Sequence, residues 1–361
     1  MMKIKHLYIH VPFCTSICSY CDFCHRIYNK ELVDKWLDVL ANEINSKCFD
    51  QYETIYIGGG TPTALNYDEL DRLLSLIKPY SRNVKEYTVE VNPESLDITK
   101  INLFKKYRIN RISMGVQSSD DKLLKLINRN HTFQDVIDKI KLLKANGLSN
   151  ISIDLMYSLP GQTIEVLEKT IDDFLSLDIP HVSLYSLTIE ENSIFGKKCY
   201  KALDDETEAD MYELICRKLE DNGYLHYEIS NFAKKGYESK HNIGYWKYED
   251  FLGLSLDASS KVANSRWTNT RNFDEYLKDY NSKSEHLNLT IDDLMYEHIM
   301  MSLRMEEGLD IENFKDIYGV DPVVKYQDAI EKNKKHIKIE NNHLIVTNRG
   351  ILNAILVDFI E

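Results

Sequence analysis

The chain has 361 residues, 43% of them hydrophobic and 28% charged, with only 14 Gly and 7 Pro. That apolar content excludes a disordered chain, and the low Gly and Pro counts exclude a collagen-like one. The net charge of −13 argues against a large nucleic-acid footprint, which needs a basic face. The length suggests about two domains of roughly 150 residues, large enough to fold without disulfide staples. No run approaches the ~18 consecutive apolar residues of a membrane span. The opening MMKIKHLYIHVPFC is too short and polar for a signal peptide. The expectation is a cytoplasmic protein with no nucleic-acid partner and at most peripheral membrane contact.

Short apolar runs alternate with amphipathic stretches along most of the chain. HLYIHV (6–11) reads as a strand and 30–44 as a helix with apolar residues three and four apart. The same pairing recurs as strand 54–59 with helix 67–77, strand 87–92 with helix 101–108, and strand 111–117 with helices 120–128 and 133–147. It continues as strand 151–159 with helix 166–177, and strand 182–189 with helix 208–223. At least six β-α units of this kind predict an α/β fold, a full or partial (β/α) barrel with its chemistry at the C-terminal strand ends. A doubly wound open sheet is the competing architecture. From about residue 290 the pattern changes to helices at 294–305, 311–319 and 322–333. A β-hairpin at 336–346, turning at Asn341-Asn342, and a last helix from about Gly350 complete a mainly helical, winged-helix-like C-terminal domain. The predicted division is a barrel over 1–229, a connector over 230–289 and the C-terminal domain over 290–361.

Cysteine placement carries the sharpest signal. Cys14, Cys18, Cys21 and Cys24 fall within eleven residues, whereas Cys48, Cys199 and Cys216 are scattered. A disulfide framework would spread its partners, so four thiols in one short loop point to a metal or cluster site. Three thiolates from Cys14-x3-Cys18-x2-Cys21 on a four-iron cluster would leave one iron open to a small molecule's amino and carboxylate groups. Two other readings stay open: a zinc site with Cys24 as fourth thiolate, and a closed four-cysteine cluster. The loop follows the first strand, where barrels build active sites. The next strand ends in Gly58-Gly59-Gly60-Thr61-Pro62, whose glycines let the backbone approach a ligand, although such a run is more often a plain tight turn.

Together these residues resemble the radical S-adenosylmethionine superfamily, in its coproporphyrinogen-dehydrogenase-like branch, over nearly the whole chain. YIHVPFC (8–14) and CSYCDF (18–23) carry the likeness, as do GGGTPT (58–63), EVNPES (90–95), SMGVQS (113–118), NRNH (128–131), DLMYSLPGQT (154–163) and YSLTIE (185–190). The resemblance implies a [4Fe–4S] cluster on Cys14, Cys18 and Cys21 with S-adenosylmethionine on the open iron. It also implies a flavodoxin- or ferredoxin-type reductant and cleavage of the sulfonium to a 5′-deoxyadenosyl radical. Tyr8, Tyr20, Gly59, Gly60, Thr61 and Glu90 match positions that line the cofactor in this branch. Gln117, Arg129 and Asp154 match positions lining the ligand pocket, which in the dehydrogenase includes a second S-adenosylmethionine. Glu90 suits the cofactor's ammonium and Arg129 its carboxylate. The plainer roles are a pair with a neighbouring Lys for Glu90 and a helix cap for Arg129.

Within this branch, His241-Asn242-x2-Tyr245-Trp246 is similar to the HemW group of haem chaperones rather than to HemN, the dehydrogenase group. Histidine is a natural haem-iron ligand, and Tyr and Trp offer flat apolar faces. The plainer reading of His241 is a satisfied histidine beside two packing aromatics. YEISNFA (227–233), SLRMEEGLD (302–310) and VTNRG (346–350) also look like HemW, and the first strand starts too near residue 5 for the extension found in the dehydrogenase. Two features depart from the family: Cys24 itself, and GLSLDASS (253–260), where a glycine-richer stretch ending Ala-His-Ser is usual. The expected function is a haem chaperone that binds haem, the cluster and S-adenosylmethionine and passes haem to an acceptor protein. The alternatives are oxygen-independent oxidative decarboxylation of coproporphyrinogen III and a HemN-like methyltransferase.

Overall fold

The computed structural model of the chain describes residues 4–48 and 52–360. Six strands lie parallel and side by side in chain order: β1 (His6–Val11), β2 (Thr54–Gly59), β3 (Glu86–Val91), β4 (Arg111–Gln117), β5 (Ile151–Tyr157) and β6 (His181–Ser186). The helices that return the chain are α1 (Lys30–Lys47), α2 (Tyr67–Ile77), α3 (Ile98–Lys106), α4 (Asp121–Leu126), α5 (Phe133–Ala145) and α6 (Ile164–Ser176). Side-chain caps set where they begin. Asn29 accepts from the Leu32 amide ahead of α1, and reciprocal capping boxes join Asn66 to Glu69 and Thr132 to Asp135. Each such cap contributes about 1 kcal/mol.

The strands are two-faced. Leu7, Ile9, Ile55, Ile57, Val89, Ile112, Met114, Ile153 and Val182 face the helices and are fully buried against residues such as Val33, Trp36 and Leu37 of α1. Each of these aliphatic side chains stabilises the fold by about 1.5–3 kcal/mol. Alternate positions on the same strands face the bore of the barrel and are largely polar: His6, Tyr8, Tyr56, Glu86, Glu90, Arg111, Ser113, Asp154, His181 and Ser183.

A short helix α7 (Ile194–Lys197) and a long one, α8 (Asp205–Asp221), lead from β6 to a hairpin of β7 (Leu225–Glu228) and β8 (Asn231–Ala233), with β8 antiparallel to β6. Helix α9 (Lys240–Trp246) then carries the chain back to the other edge. There β9 (Phe251–Leu254) lies parallel to β1, and β10 (Ser259–Val262), β11 (Ser265–Asn269) and β12 (Lys283–Asn288) follow as a meander. The result is one open twelve-stranded sheet, a partial barrel. Residues 230–289, read from the sequence as a connector, therefore extend the barrel sheet itself. Their strands are short and polar, and β12 is exposed along its whole length, so no apolar alternation announced them. The charged side chains of β12 suit it to an unpaired edge.

After the short α10 (Phe273–Lys278), the C-terminal domain opens with α11 (Ile291–Ser302), followed by β13 (Leu309–Asp310) and α12 (Ile311–Tyr318). Strands β14 (Ile337–Glu340) and β15 (His343–Val346) form the expected hairpin, with Asn341 and Asn342 at φ +49° and +64° as a two-residue turn of this kind requires. A separate core of Ile299, Leu303, Phe314, Leu344, Leu352 and Phe359 holds this domain together. The predicted helix 322–333 is two pieces, Pro322–Lys325 and Gln327–Lys332. No helix of the described residues is long and apolar enough to cross a membrane.

Candidate active site at the C-terminal strand ends

The C-terminal ends of β2 to β6 and the loop after β1 enclose a cavity of about 430 Å³. Cys14, Cys18 and Cys21 all line it. The cysteine loop is held at both ends and in the middle. Phe13–Cys14 pairs with Arg26–Ile27, the Ser19 amide donates to the Ile127 carbonyl (2.9 Å), and the Asn128 side chain donates to the Ile17 carbonyl (2.6 Å). Burial pushes the Cys14 thiol up to about 11 and the Cys21 thiol up to about 12, so both keep their protons at neutral pH until a metal replaces them.

Cys24 is placed differently. It does not line the cavity: its thiol donates to the Arg271 carbonyl (3.2 Å) and its amide to the Asp257 carboxylate (3.3 Å). Among the described residues, no three His, Cys, Asp or Glu side chains stand close enough together to hold a single metal ion.

The glycine run cradles the same space. Gly59 has φ +110°, a conformation that suits glycine, and a Cβ there would lie 2.7 Å from the His10 ring. A Cβ on Gly60 would meet the Phe13 carbonyl at 2.8 Å and the Cys14 sulfur at 2.9 Å. Gly60→Ala is therefore expected to displace Cys14 and lower iron loading of the reconstituted protein, with little change in thermal unfolding. Full iron content in that variant would show that the close approach is dispensable.

Glu90 lies on the cavity wall and accepts from the Tyr56 hydroxyl (2.8 Å) and the Gly59 amide (3.0 Å). Burial, then the neighbouring charge of Asp154, pushes its carboxyl up to about 7. Asp154 is raised too, chiefly by burial, and accepts from Ser113 (3.3 Å). Arg129 donates to Asn92 (2.8 Å) and the Gly115 carbonyl (2.5 Å) and reaches the Cys18 sulfur at 3.5 Å, while its buried Nε has no partner. Gln117 sits beside a register shift in β4 at φ +73°, a strained backbone placement at the cavity edge. Tyr20 and Thr61 also line the cavity.

Two candidates lie elsewhere. Tyr8 packs behind the wall, its hydroxyl 3.2 Å from His10. His241 is buried in the bore at the opposite, N-terminal strand ends, with Nδ1 2.7 Å from the Thr54 hydroxyl and Nε2 2.7 Å from the Tyr245 hydroxyl. Both ring nitrogens are engaged and burial holds its pKa well below the usual value, the arrangement of a satisfied core histidine. Its neighbour Asn242 does reach the cavity. Sequence reasoning passed over Tyr56, Asn92 and Arg111, which also line it; Arg111 is buried with an unpartnered Nε. Its signal was a charge inside an otherwise apolar strand.

Residues 8–174 match the family model of the Radical SAM superfamily, and 289–352 that of the HemN C-terminal domain. The chain is 37% identical to the "Heme chaperone HemW" of Lactococcus lactis, over 97% of this chain and 95% of that one. It is likewise 37% identical to that of Bacillus subtilis, over 88% and 87%. This chain belongs to the HemW family of the radical SAM superfamily. Among solved structures, the coproporphyrinogen III oxidase HemN of Escherichia coli matches with a TM-score of 0.85 at 21% identity, covering 99% of this chain and 90% of that one, which shows a shared fold. Membership of the superfamily implies a [4Fe–4S] cluster and S-adenosylmethionine. The cavity fits both groups: three thiols converge on a glycine cradle that a single Cβ would fill, beside buried carboxylates and two arginines with unpartnered Nε atoms.

Proposed function

We propose that this protein is a haem chaperone that binds haem, carries a [4Fe–4S] cluster with S-adenosylmethionine, and passes haem to an acceptor protein. The observation that carries this reading is the end-to-end similarity to proteins named heme chaperones, at 37% identity over 97% of the chain. In this reading Cys14, Cys18 and Cys21 hold the cluster. Gly59, Gly60 and Thr61 bring backbone and hydroxyl groups to S-adenosylmethionine, Glu90 accepts from its ammonium, and Arg129 pairs with its carboxylate. Gln117 and Asp154 shape the rest of the pocket. When bound, the cluster supplies an electron, delivered by a flavodoxin- or ferredoxin-type protein, to the sulfonium. The chain's own contribution is to orient the cofactor and exclude water from it.

The deciding experiment is an anaerobic haem titration of the cluster-reconstituted protein, followed by its Soret band. Saturable binding near one haem per chain is the expected result. Binding that never saturates would turn the assignment to the enzyme reading, with coproporphyrinogen III as the next compound to assay. Separately, Glu90→Gln keeps an acceptor oxygen for the Gly59 amide, and its NH2 can donate to the Tyr56 hydroxyl, but the charge is gone. It should weaken S-adenosylmethionine binding by about 10- to 100-fold in calorimetry, the worth of a charge-assisted hydrogen bond, with iron content unchanged. Equal affinity would remove Glu90 from the site.

A further inference from the structure

Arg111 is the one charged side chain of the cluster cavity to which the proposed cofactor contacts give no task. It opens β4, is 2% exposed and lines the cavity. No hydrogen bond or ion pair joins its guanidinium to a described residue, and its buried Nε has no partner. Arg129, in the same cavity, has Asn92, the Gly115 carbonyl and the Cys18 sulfur as acceptors. A guanidinium keeps its charge inside a protein, so Arg111 cannot relieve its burial by losing a proton. A buried charge of this kind is costly until an anion meets it.

The carboxyls already in the cavity do not fill that place. Glu90 is engaged by the Tyr56 hydroxyl (2.8 Å) and the Gly59 amide (3.0 Å), and Asp154 by Ser113 (3.3 Å). Neither makes an ion pair with Arg111, and burial raises the pKa of both, which weakens them as counter-charges. A second free donor faces the same space. Asn242 of α9 lines the cavity, and its side-chain amide has no hydrogen-bond partner among the described residues. The paired N–H groups of a guanidinium match the two oxygens of a carboxylate, and an amide NH2 can donate to one of them. A phosphate would set a second negative charge beside Glu90 and Asp154 with no further cation at that end to meet it. The chemistry of the place is therefore that of a single carboxylate.

Position separates this place from the end of the cavity given to the cofactor. Residues 111, 113 and 115 of β4 share the bore face, and a strand rises about 3.3 Å per residue. The backbone of Arg111 thus lies about 13 Å below Gly115, whose carbonyl anchors Arg129 beside the cluster cysteines. Arg111 instead stands next to α9: after burial and the neighbouring His6, its charge is what holds the His241 pKa low. One guanidinium serves the cluster end of the cavity and the other its floor.

We propose that Arg111, with the Asn242 amide, is a carboxylate-binding subsite at the cavity floor. It rests on the function proposed above only for the identity of the acid, a haem propionate or the carboxylate of S-adenosylmethionine. The test titrates haem, its dimethyl ester and S-adenosylmethionine into the reconstituted full-length protein, Arg111→Met and Arg111→Lys. The unmodified protein should bind haem about tenfold or more tightly than the ester, which has no carboxylate to offer. Arg111→Met should lose that preference, Arg111→Lys should keep part of it, and S-adenosylmethionine affinity by calorimetry should stay the same. A loss on S-adenosylmethionine alone keeps the subsite and gives it to the cofactor's carboxylate. Unchanged binding of all three compounds by Arg111→Met would overturn the subsite. Arg111→Met should also unfold at the same or a higher temperature, because it removes an unpaired buried charge. A lowered unfolding temperature would mean that the guanidinium already has its counter-charge within the fold, and would equally overturn the proposal. Absence of saturable haem binding by the unmodified protein would overturn the haem reading, and the S-adenosylmethionine titrations then decide the subsite by themselves.

Discussion

Alanine at Cys14, Cys18 or Cys21 is expected to leave the reconstituted protein colourless, with iron and sulfide falling from about four of each per chain to near zero. Cys24→Ala is expected to keep both. The asymmetry follows from direction rather than spacing. The first three cysteines line the cavity beside the Gly60 cradle, whereas the Cys24 thiol is turned to the Arg271 carbonyl at 3.2 Å. A cluster held by three thiolates loses a third of its protein ligands with each substitution, and the remaining two cannot keep it from exchange. A zinc site or a closed four-cysteine cluster would behave otherwise, because either needs the fourth thiolate and would lose its metal in Cys24→Ala. Iron and sulfide analysis of the four variants, with circular dichroism to show that each is folded, separates these cases. A full cluster in Cys18→Ala, or its loss in Cys24→Ala, would overturn the three-ligand assignment.

The parts of this molecule that a sequence reveals are those whose signal is contiguous. The strands at 6–11, 54–59 and 111–117 end where the apolar runs place them, because each run is bounded by polar or glycine residues in the chain itself. The cysteine loop and the glycine cradle are likewise written as short motifs, and the fold carries both to one cavity. What the runs concealed is that every barrel strand has a polar face: His6, Tyr8 and His10 alternate with Leu7, Ile9 and Val11. Tyr56, Asn92 and Arg111 went unnoticed because each is a lone polar residue whose meaning depends on neighbours brought in by strand register. The His241 motif shows the opposite limit. Its residue types suit haem, but only the fold discloses that its imidazole nitrogens stand 2.7 Å from the Thr54 and Tyr245 hydroxyls, neighbours that the motif by itself does not name in full.

Glu43→Ala is expected to cost about 3–5 kcal/mol of stability, the cost of breaking a buried charged network by removing one member. Glu43 is fully buried on α1. It accepts from the Tyr276 hydroxyl (2.8 Å), the Ser255 amide (2.9 Å) and the Asn269 side chain (3.5 Å), and pairs with Lys47 (2.8 Å). Alanine would strand those donors in the interior, at about 1–3 kcal/mol for each left unsatisfied. Glu43→Gln, which keeps an acceptor of the same shape, should recover part of the loss. The consequence reaches the cysteine loop through residues 253–260. Ser255 and Asp257 hold φ +78° and +59°, where glycine would sit without strain. In exchange, Ser255 accepts from the Trp36 indole (2.8 Å), and Asp257 takes the Cys24 amide (3.3 Å) and pairs with Arg271 (3.2 Å). Glu43 thus braces from below the strand end that grips the cysteine loop from above. Urea unfolding of Glu43→Ala should show the lowered stability, and its reconstituted cluster should bleach faster in air than that of the unmodified protein. An unfolding shift below about 1 kcal/mol would mean that water satisfies the stranded donors and that the network is not the brace assigned to it.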